Sequence, residues 1–144
     1  MENGSENIPS YATSTAAAVS SPCILLVDDD RIIRTVSAAI LKELGYTVLT
    51  AEDGQEAVDI YQERHQSIDM VLLDMMMPIM NGDICFYRLK EIEPEVRVLM
   101  VSGYTGPAPI DQLKKDGMIG YLRKPYVMKD LCNFLAQYAA PRTE

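Results

Sequence analysis

Residues 23–45 read Cys-Ile-Leu-Leu-Val-Asp-Asp-Asp-Arg-Ile-Ile-Arg-Thr-Val-Ser-Ala-Ala-Ile-Leu-Lys-Glu-Leu-Gly, and this stretch decides the fold class. Five apolar residues, Cys23 to Val27, end abruptly in three aspartates. A run that short and that uniformly apolar reads as a strand buried on both faces. The period then changes. Ile33, Val36, Ile40 and Leu44 recur at helical spacing, and Gly45 supplies a helix stop. Asp30 stands where a helix N-cap is needed, because its carboxylate can accept from the first free N–H groups and complement the helix dipole. Strand, acidic turn and helix form one unit.

The unit repeats along the chain. Apolar runs recur at Tyr46–Ala51, Ile68–Leu73, Val96–Val101 and Ile119–Leu122. Between them, Gln55 to His65 place Ala57, Val58 and Tyr61 on one helical face, and Asp83 to Ile92 do the same with Ile84, Leu89 and Ile92 before Pro94. A short helix is expected over Pro109 to Asp116, closed by Gly117, and a longer one over Val127 to Tyr138 carrying Leu131, Phe134, Leu135 and Tyr138. Strict alternation implies a parallel sheet with helices on both faces. The run from Tyr46 alternates best and reads as an edge strand. The leucine-rich-repeat signature is missing, and a closed eightfold barrel needs about twice the length. The expected fold is therefore a three-layer, doubly wound α/β sheet, which binds ligands beyond the carboxyl ends of its strands.

Composition bounds the rest. With 48% hydrophobic and 24% charged residues, the chain can build a core without disulfides or a structural metal. Residues 1–22 are rich in Ser, Thr, Ala and Asn and read as a flexible tail or linker, 23–140 as one domain, and 141–144 as a short tail. The net charge of −8 repels a phosphate backbone, so no nucleic acid is expected to bind. The uncharged stretch Asn7–Val27 is too polar for a membrane span, and no basic region marks a secretory signal. Cys23, Cys85 and Cys132 lie far apart in apolar runs, as small buried hydrophobes in a reducing cytoplasm would.

The strand ends carry the chemistry. The first ends in Asp28-Asp29-Asp30, the third in Asp74, the fourth in Ser102-Gly103 and the fifth in Arg123-Lys124-Pro125. Two carboxylates about 5 Å apart repel by about 3 kcal/mol at an effective dielectric of 20. Gathering Asp28, Asp29 and Asp74 therefore demands a cation. Lys124 supplies one charge, and a divalent ion on oxygen ligands would supply more. With no His or Cys at these ends, Mg2+ suits them, with Mn2+ as an alternative. An N-cap role accounts for Asp30 but not for Asp74, which precedes Met-Met-Met-Pro rather than a helix.

Four blocks together, Ile24-Leu-Leu-Val-Asp-Asp29, Met70-Val-Leu-Leu-Asp-Met-Met-Met-Pro78 with Met80-Asn-Gly82, Val98-Leu-Met-Val-Ser-Gly103 and Gly120-Tyr-Leu-Arg-Lys-Pro125, resemble response-regulator receiver domains. The resemblance spans about residues 23–140. It implies a CheY-like, flavodoxin-like (βα)5 fold with strand order 2-1-3-4-5. It further implies Asp74 as phosphoacceptor, with Mg2+ held by Asp28, Asp29, Asp74 and the main-chain carbonyl of Met76. Ser102 and Lys124 would bind the phosphoryl group, Tyr121 would be the aromatic switch, and Lys124–Pro125 would be a cis peptide.

On that resemblance the chain is a phosphoacceptor signalling domain rather than an enzyme. A histidine kinase or histidine phosphotransfer domain would be the donor, docking beside Ile32 or Ile33. A surface around the fourth helix, fifth strand and fifth helix would then switch toward an effector or a homodimer. Met76 and Tyr104 flank the path of hydrolytic water, and their bulk implies slow dephosphorylation. Met75 and Met77 read as packing, and His65 as a surface residue. The chain fits a stand-alone receiver or the receiver of a hybrid kinase. Two other functions compete. A Mg2+-dependent phosphohydrolase would want a general acid where Met76 stands. A phosphorylation-independent interaction module would be expected to have lost a carboxylate or the lysine.

Overall fold

The computed structural model describes residues 21–103, 109–126 and 128–139. The elements alternate as β1 (Cys23–Val27), α1 (Arg31–Glu43), β2 (Thr47–Ala51), α2 (Gly54–Arg64), a 3-10 turn (His65–Ser67), β3 (Met70–Asp74), α3 (Gly82–Ile92), β4 (Val98–Ser102), α4 (Ile110–Lys115), β5 (Gly120–Arg123) and α5 (Met128–Tyr138). All strand pairings are parallel, in the order β2-β1-β3-β4-β5. This is the doubly wound sheet expected from the alternation, in the flavodoxin-like strand order that the family resemblance implies, with β2 at an edge.

Side chains of successive strand residues point to opposite faces, and the core divides accordingly. Leu25, Val27, Val71, Leu73, Val98 and Met100 pack against Ala57 and Tyr61 of α2, Phe86 and Leu89 of α3, and Leu113 of α4. Ile24, Leu26, Leu72, Leu99 and Val101 pack against Ala38 and Leu41 of α1 and Leu131 and Leu135 of α5. Strands β1, β3 and β4 are buried at every position. Their uniformly apolar sequence follows from that double cover.

Three details depart from the sequence expectations. The apolar stripe of α1 is rotated: Ile33, Val36 and Leu44 are exposed, while Ala38 and Leu41 face the sheet. In α3, Ile84 is exposed, and the buried positions are Gly82, Cys85, Phe86 and Leu89. Gly82 sets that rotation, because a Cβ there would stand 2.5 Å from the main-chain oxygen of Asp74. Close approach at Gly82 turns residues three, four and seven further on toward the core. Strands β3, β4 and β5 also begin one or two residues later than their apolar runs, so Asp74, Ser102 and Arg123 lie inside the last rungs. Cys23 and Cys85 are buried thiols, whereas Cys132 is half-buried. Of the expected tails, residues 1–20 and 140–144 fall outside the described residues, as does Tyr104.

At Gly120 a Cβ would lie 2.4 Å from the Phe134 ring, so α5 rests directly on the β5 backbone. Gly120→Ala should lower the free energy of unfolding by about 1–3 kcal/mol, read from urea denaturation. Phe134→Leu in the same chain should recover part of the loss. A Gly120→Ala variant as stable as the parent would show that this contact is not tight.

Candidate functional site

The carboxyl ends of β1, β3, β4 and β5 meet at one edge, and the turn chemistry there is local. Asp28 follows β1 directly and its N–H continues the ladder to the Ala51 carbonyl at 3.2 Å. Its Oδ1 accepts from the Asp30 N–H at 2.9 Å, and Asp30 in turn caps α1 by accepting from Ile32 and Ile33. The first aspartate is thereby tied to the turn and the third to the helix. Asp29 between them is exposed, whereas Asp28 and Asp74 are 4% and 6% exposed.

Asp74 closes β3, opposite Val101. The loop after it folds back sharply. Met80 N–H donates to the Pro78 carbonyl and Gly82 N–H to the Met75 carbonyl, both at 2.7 Å. Ile79 sits at φ +71°, a left-handed conformation that is costly for a β-branched residue. Met75, Met77 and Met80 turn inward and are buried, leaving Met76 and Ile79 outside. Met75 and Met77 are thus packing residues, as their composition suggested. The Met76 N–H reaches back to Asp74 Oδ1 at a long 3.4 Å.

Lys124 arrives from the far side of the sheet. Its N–H donates to the Ser102 carbonyl at 2.7 Å, and the next peptide, Lys124–Pro125, is cis as expected. Its ammonium lies 3.0 Å from Asp28 Oδ2 and 3.5 Å from Asp74 Oδ2. Ser102 is fully buried and Tyr121 half-buried against the α2–α4 side of the core. The edge therefore brings together Asp28, Asp29, Asp74, Ser102 and Lys124.

Electrostatics dominate this edge. Carboxylate oxygens of Asp28, Asp29 and Asp74 fall within 4.8 Å of one another. Burial pushes the Asp74 carboxyl up to about 6, and the Asp28 charge adds to the shift against the opposing pull of Lys124 and the Met76 N–H. Burial alone would lower the Lys124 ammonium, but its hydrogen bond to Asp28 and the charges of Asp74 and Asp28 hold it above its ordinary value. One ammonium cannot offset three carboxylates. An oxygen-only donor set with a net negative charge fits a hard divalent cation such as Mg2+.

Two residues were not anticipated. Arg34 Nη1 donates to the Asp28 carbonyl at 2.7 Å, bracing the acidic turn from α1. The signal was present in the sequence as an arginine two turns past Asp28, on a helix otherwise read only for its apolar stripe. His65, expected at the surface, is half-buried, and its Nδ1 is sealed without a partner among the described residues.

The model of the family described as response regulator receiver domain matches residues 24–136. The chain is 33% identical over 123 residues to the autoinducer 1 sensor kinase/phosphatase LuxN of Vibrio campbellii, covering 85% of this chain and 14% of that protein. It is 35% identical over 111 residues to the sensor kinase CckA of Brucella abortus, covering 77% of this chain and 12% of that one. It therefore spans less than a sixth of the length of these two kinases. A response regulator receiver domain structure from Clostridium thermocellum superposes with a TM-score of 0.74 at 32% identity, covering 81% of this chain and 93% of that one.

Because the folded state holds the Asp74 proton more tightly than the unfolded chain, ionising Asp74 costs stability above about pH 6, and that cost is absent below pH 3.8. In metal-free buffer at neutral pH, Asp74→Asn should be more stable than the parent by about 1–3 kcal/mol. The gap should close as the pH falls through that window, and should narrow when Mg2+ is added. Equal stability at neutral pH would mean that Asp74 carries no such burden.

Proposed function

The chain belongs to the response regulator receiver family, and from that premise we propose that Asp74 is the residue that accepts its phosphoryl group. The observation that supports this most directly is the convergence of Asp28, Asp29 and Asp74 within 4.8 Å beside the Lys124 ammonium. The chain is a two-component signalling domain similar to the receivers of sensor kinases. In the proposed reaction Asp74 Oδ attacks the phosphorus of a phosphohistidine. The P–N bond breaks and the imidazole leaves. The nucleophile is a carboxylate approaching an anion, so charge neutralisation limits the rate. Asp28, Asp29, Asp74 and the Met76 carbonyl would hold Mg2+, or Mn2+, which supplies that neutralisation when bound. Lys124 releases its contact with Asp74 to pair with a phosphoryl oxygen.

Phosphorylation adds roughly −1.5 to −2 charges and new acceptor oxygens. Ser102, at the end of β4, would donate its hydroxyl to them. In this reading its movement vacates space that half-buried Tyr121 fills, which biases the surface of α4, β5 and α5 toward an effector or a second copy. The donor is a histidine kinase or a histidine phosphotransfer domain. Ile32, 76% exposed in the first turn of α1, offers it an apolar contact beside the acidic turn, with Ile33 and Val36 behind. Residues 23–140 form the receiver in this proposal and 1–22 its linker, as in a hybrid kinase. Met76, neutral and 47% exposed two residues past Asp74, gives no general acid, so the phosphoryl group is retained rather than turned over. Among the described residues no helix is long and apolar enough to cross a membrane, and the reading places the domain in the cytoplasm.

Incubation with a small phosphodonor and Mg2+ should add one phosphoryl group to the parent and none to Asp74→Asn, by intact mass. Equal labelling of the two would overturn the assignment. Once formed, the acyl phosphate should be long-lived, because the residues two positions past Asp74 and Ser102 in the sequence, Met76 and Tyr104, are bulky and neutral. A half-life of seconds would remove that role from them.

A further inference from the structure

Asp28 is held at every polar group it carries. Its N–H donates to the Ala51 carbonyl at 3.2 Å, its Oδ1 accepts from the Asp30 N–H at 2.9 Å, and its Oδ2 faces the Lys124 ammonium at 3.0 Å. The remaining group, its carbonyl, accepts from Arg34 Nη1 at 2.7 Å. Asp29 is in the opposite condition. It is exposed, and neither its N–H nor its carboxylate makes a hydrogen bond among the described residues. Yet one of its carboxylate oxygens lies within 4.8 Å of those of Asp28 and Asp74. With no bond of its own, that side chain is oriented by its backbone alone. The Asp28–Asp29 peptide sets that backbone, and because a peptide is planar, a bond to its carbonyl restrains the whole unit. Among the described residues, Arg34 is the only group hydrogen-bonded to it.

Arg34's choice of partner is informative. It is half-buried on α1 next to an acidic turn, yet it makes no ion pair among the described residues. A guanidinium forks readily onto a carboxylate, and here it is directed to a neutral carbonyl instead. It thereby leaves Asp29 open to a ligand while restraining the peptide that aims it. We propose that Arg34 is a positioning residue for the cation site, holding the Asp28–Asp29 peptide so that Asp29 stays aimed at the space it shares with Asp28 and Asp74. It acts through a main-chain carbonyl and not by contact with the reacting groups. The inference rests on the reading of these aspartates as a Mg2+ site, but not on Asp74 as the phosphoacceptor. Charge and positioning pull in opposite directions here. As a charge alone, a guanidinium beside the site repels a divalent cation, and its removal would tighten binding. As a brace, its removal loosens Asp29 and weakens binding.

The test is a Mg2+ titration of the metal-free chain followed by NMR at fixed pH and ionic strength. Arg34→Met, which keeps an unbranched stem but loses the charge and the hydrogen bond, should bind Mg2+ about 10-fold more weakly than the parent. Arg34→Lys, which keeps the charge and a donor, should fall between the two. Before any Mg2+ is added, Arg34→Met should already show lower backbone order at the Asp29 amide, with β1 and α1 unchanged. Gly120→Ala, destabilised at the start of β5, should keep the parent's affinity. Mg2+ affinity in Arg34→Met equal to or tighter than the parent's, unchanged order at Asp29, or an equal loss of affinity in Gly120→Ala would each overturn the proposal. Should Arg34→Met fail to fold, Arg34→Lys carries the comparison, and an affinity equal to the parent's overturns it. A parent that binds no Mg2+ removes the cation site and this inference together. Absent phosphoryl labelling, with the Arg34 effect on Mg2+ intact, removes only the acceptor assignment and supports the positioning role.

Discussion

Holding three carboxylates within 4.8 Å of one another is the constraint on which the rest of this structure turns. At an effective dielectric of 20 each such pair repels by about 3 kcal/mol, and a domain of this size has roughly 5–15 kcal/mol of net stability. The fold tolerates the cluster because it delivers Lys124 to the same edge from β5, two strands beyond β3 and three beyond β1. It anchors the lysine through its own backbone, with the Lys124 N–H bonded to the Ser102 carbonyl and the chain redirected at once by Pro125. The ammonium then bridges the buried pair Asp28 and Asp74, leaving Asp29 to solvent. In the proposed reading, the residual negative charge would attract a divalent cation and, through it, an anionic phosphoryl group.

The parallel sheet makes this possible at low cost elsewhere. Strands β1, β3 and β4 spend no residue on solvent, so their C-terminal ends are held by two packed layers. Rigid strand ends fix the aspartates, while the loop between β3 and α3 absorbs the irregularity. Gly82 lets the loop close against the backbone of Asp74, and three methionines fill the space beneath. The strain at Ile79 belongs to the same sharp reversal.

Much of this was legible from residue order. The apolar runs ending in Asp28, Asp74 and Ser102 identified both the sheet and its active edge, because a doubly buried strand has no other reason to stop at a carboxylate. The N-cap at Asp30 and the stop at Gly45 were equally readable. The rotation of α1 was not. Its sequence holds apolar residues on more than one face, and only packing against the sheet selected small Ala38 with Leu41 over Ile33 and Val36. Ile84 misled for the same reason, since the close approach of Gly82 to Asp74 lies outside any helical periodicity. Arg34 and His65 escaped because a single polar residue on a helix or turn carries no pattern. The partner of Arg34 is a main-chain carbonyl six residues back, and His65 Nδ1 has none among the described residues.

The sequence by itself determined the alternation of elements, the family, and which chemical groups stand at the strand ends, because those depend on short-range order along the chain. The tertiary structure decided which of them interact. Asp28 and Lys124, 96 residues apart, meet at 3.0 Å only because strand order places β1 and β5 on either side of β3 and β4. The burial that raises the Asp74 carboxyl is likewise a property of the assembled layers. Charge and burial act through space, and only the folded chain sets those distances.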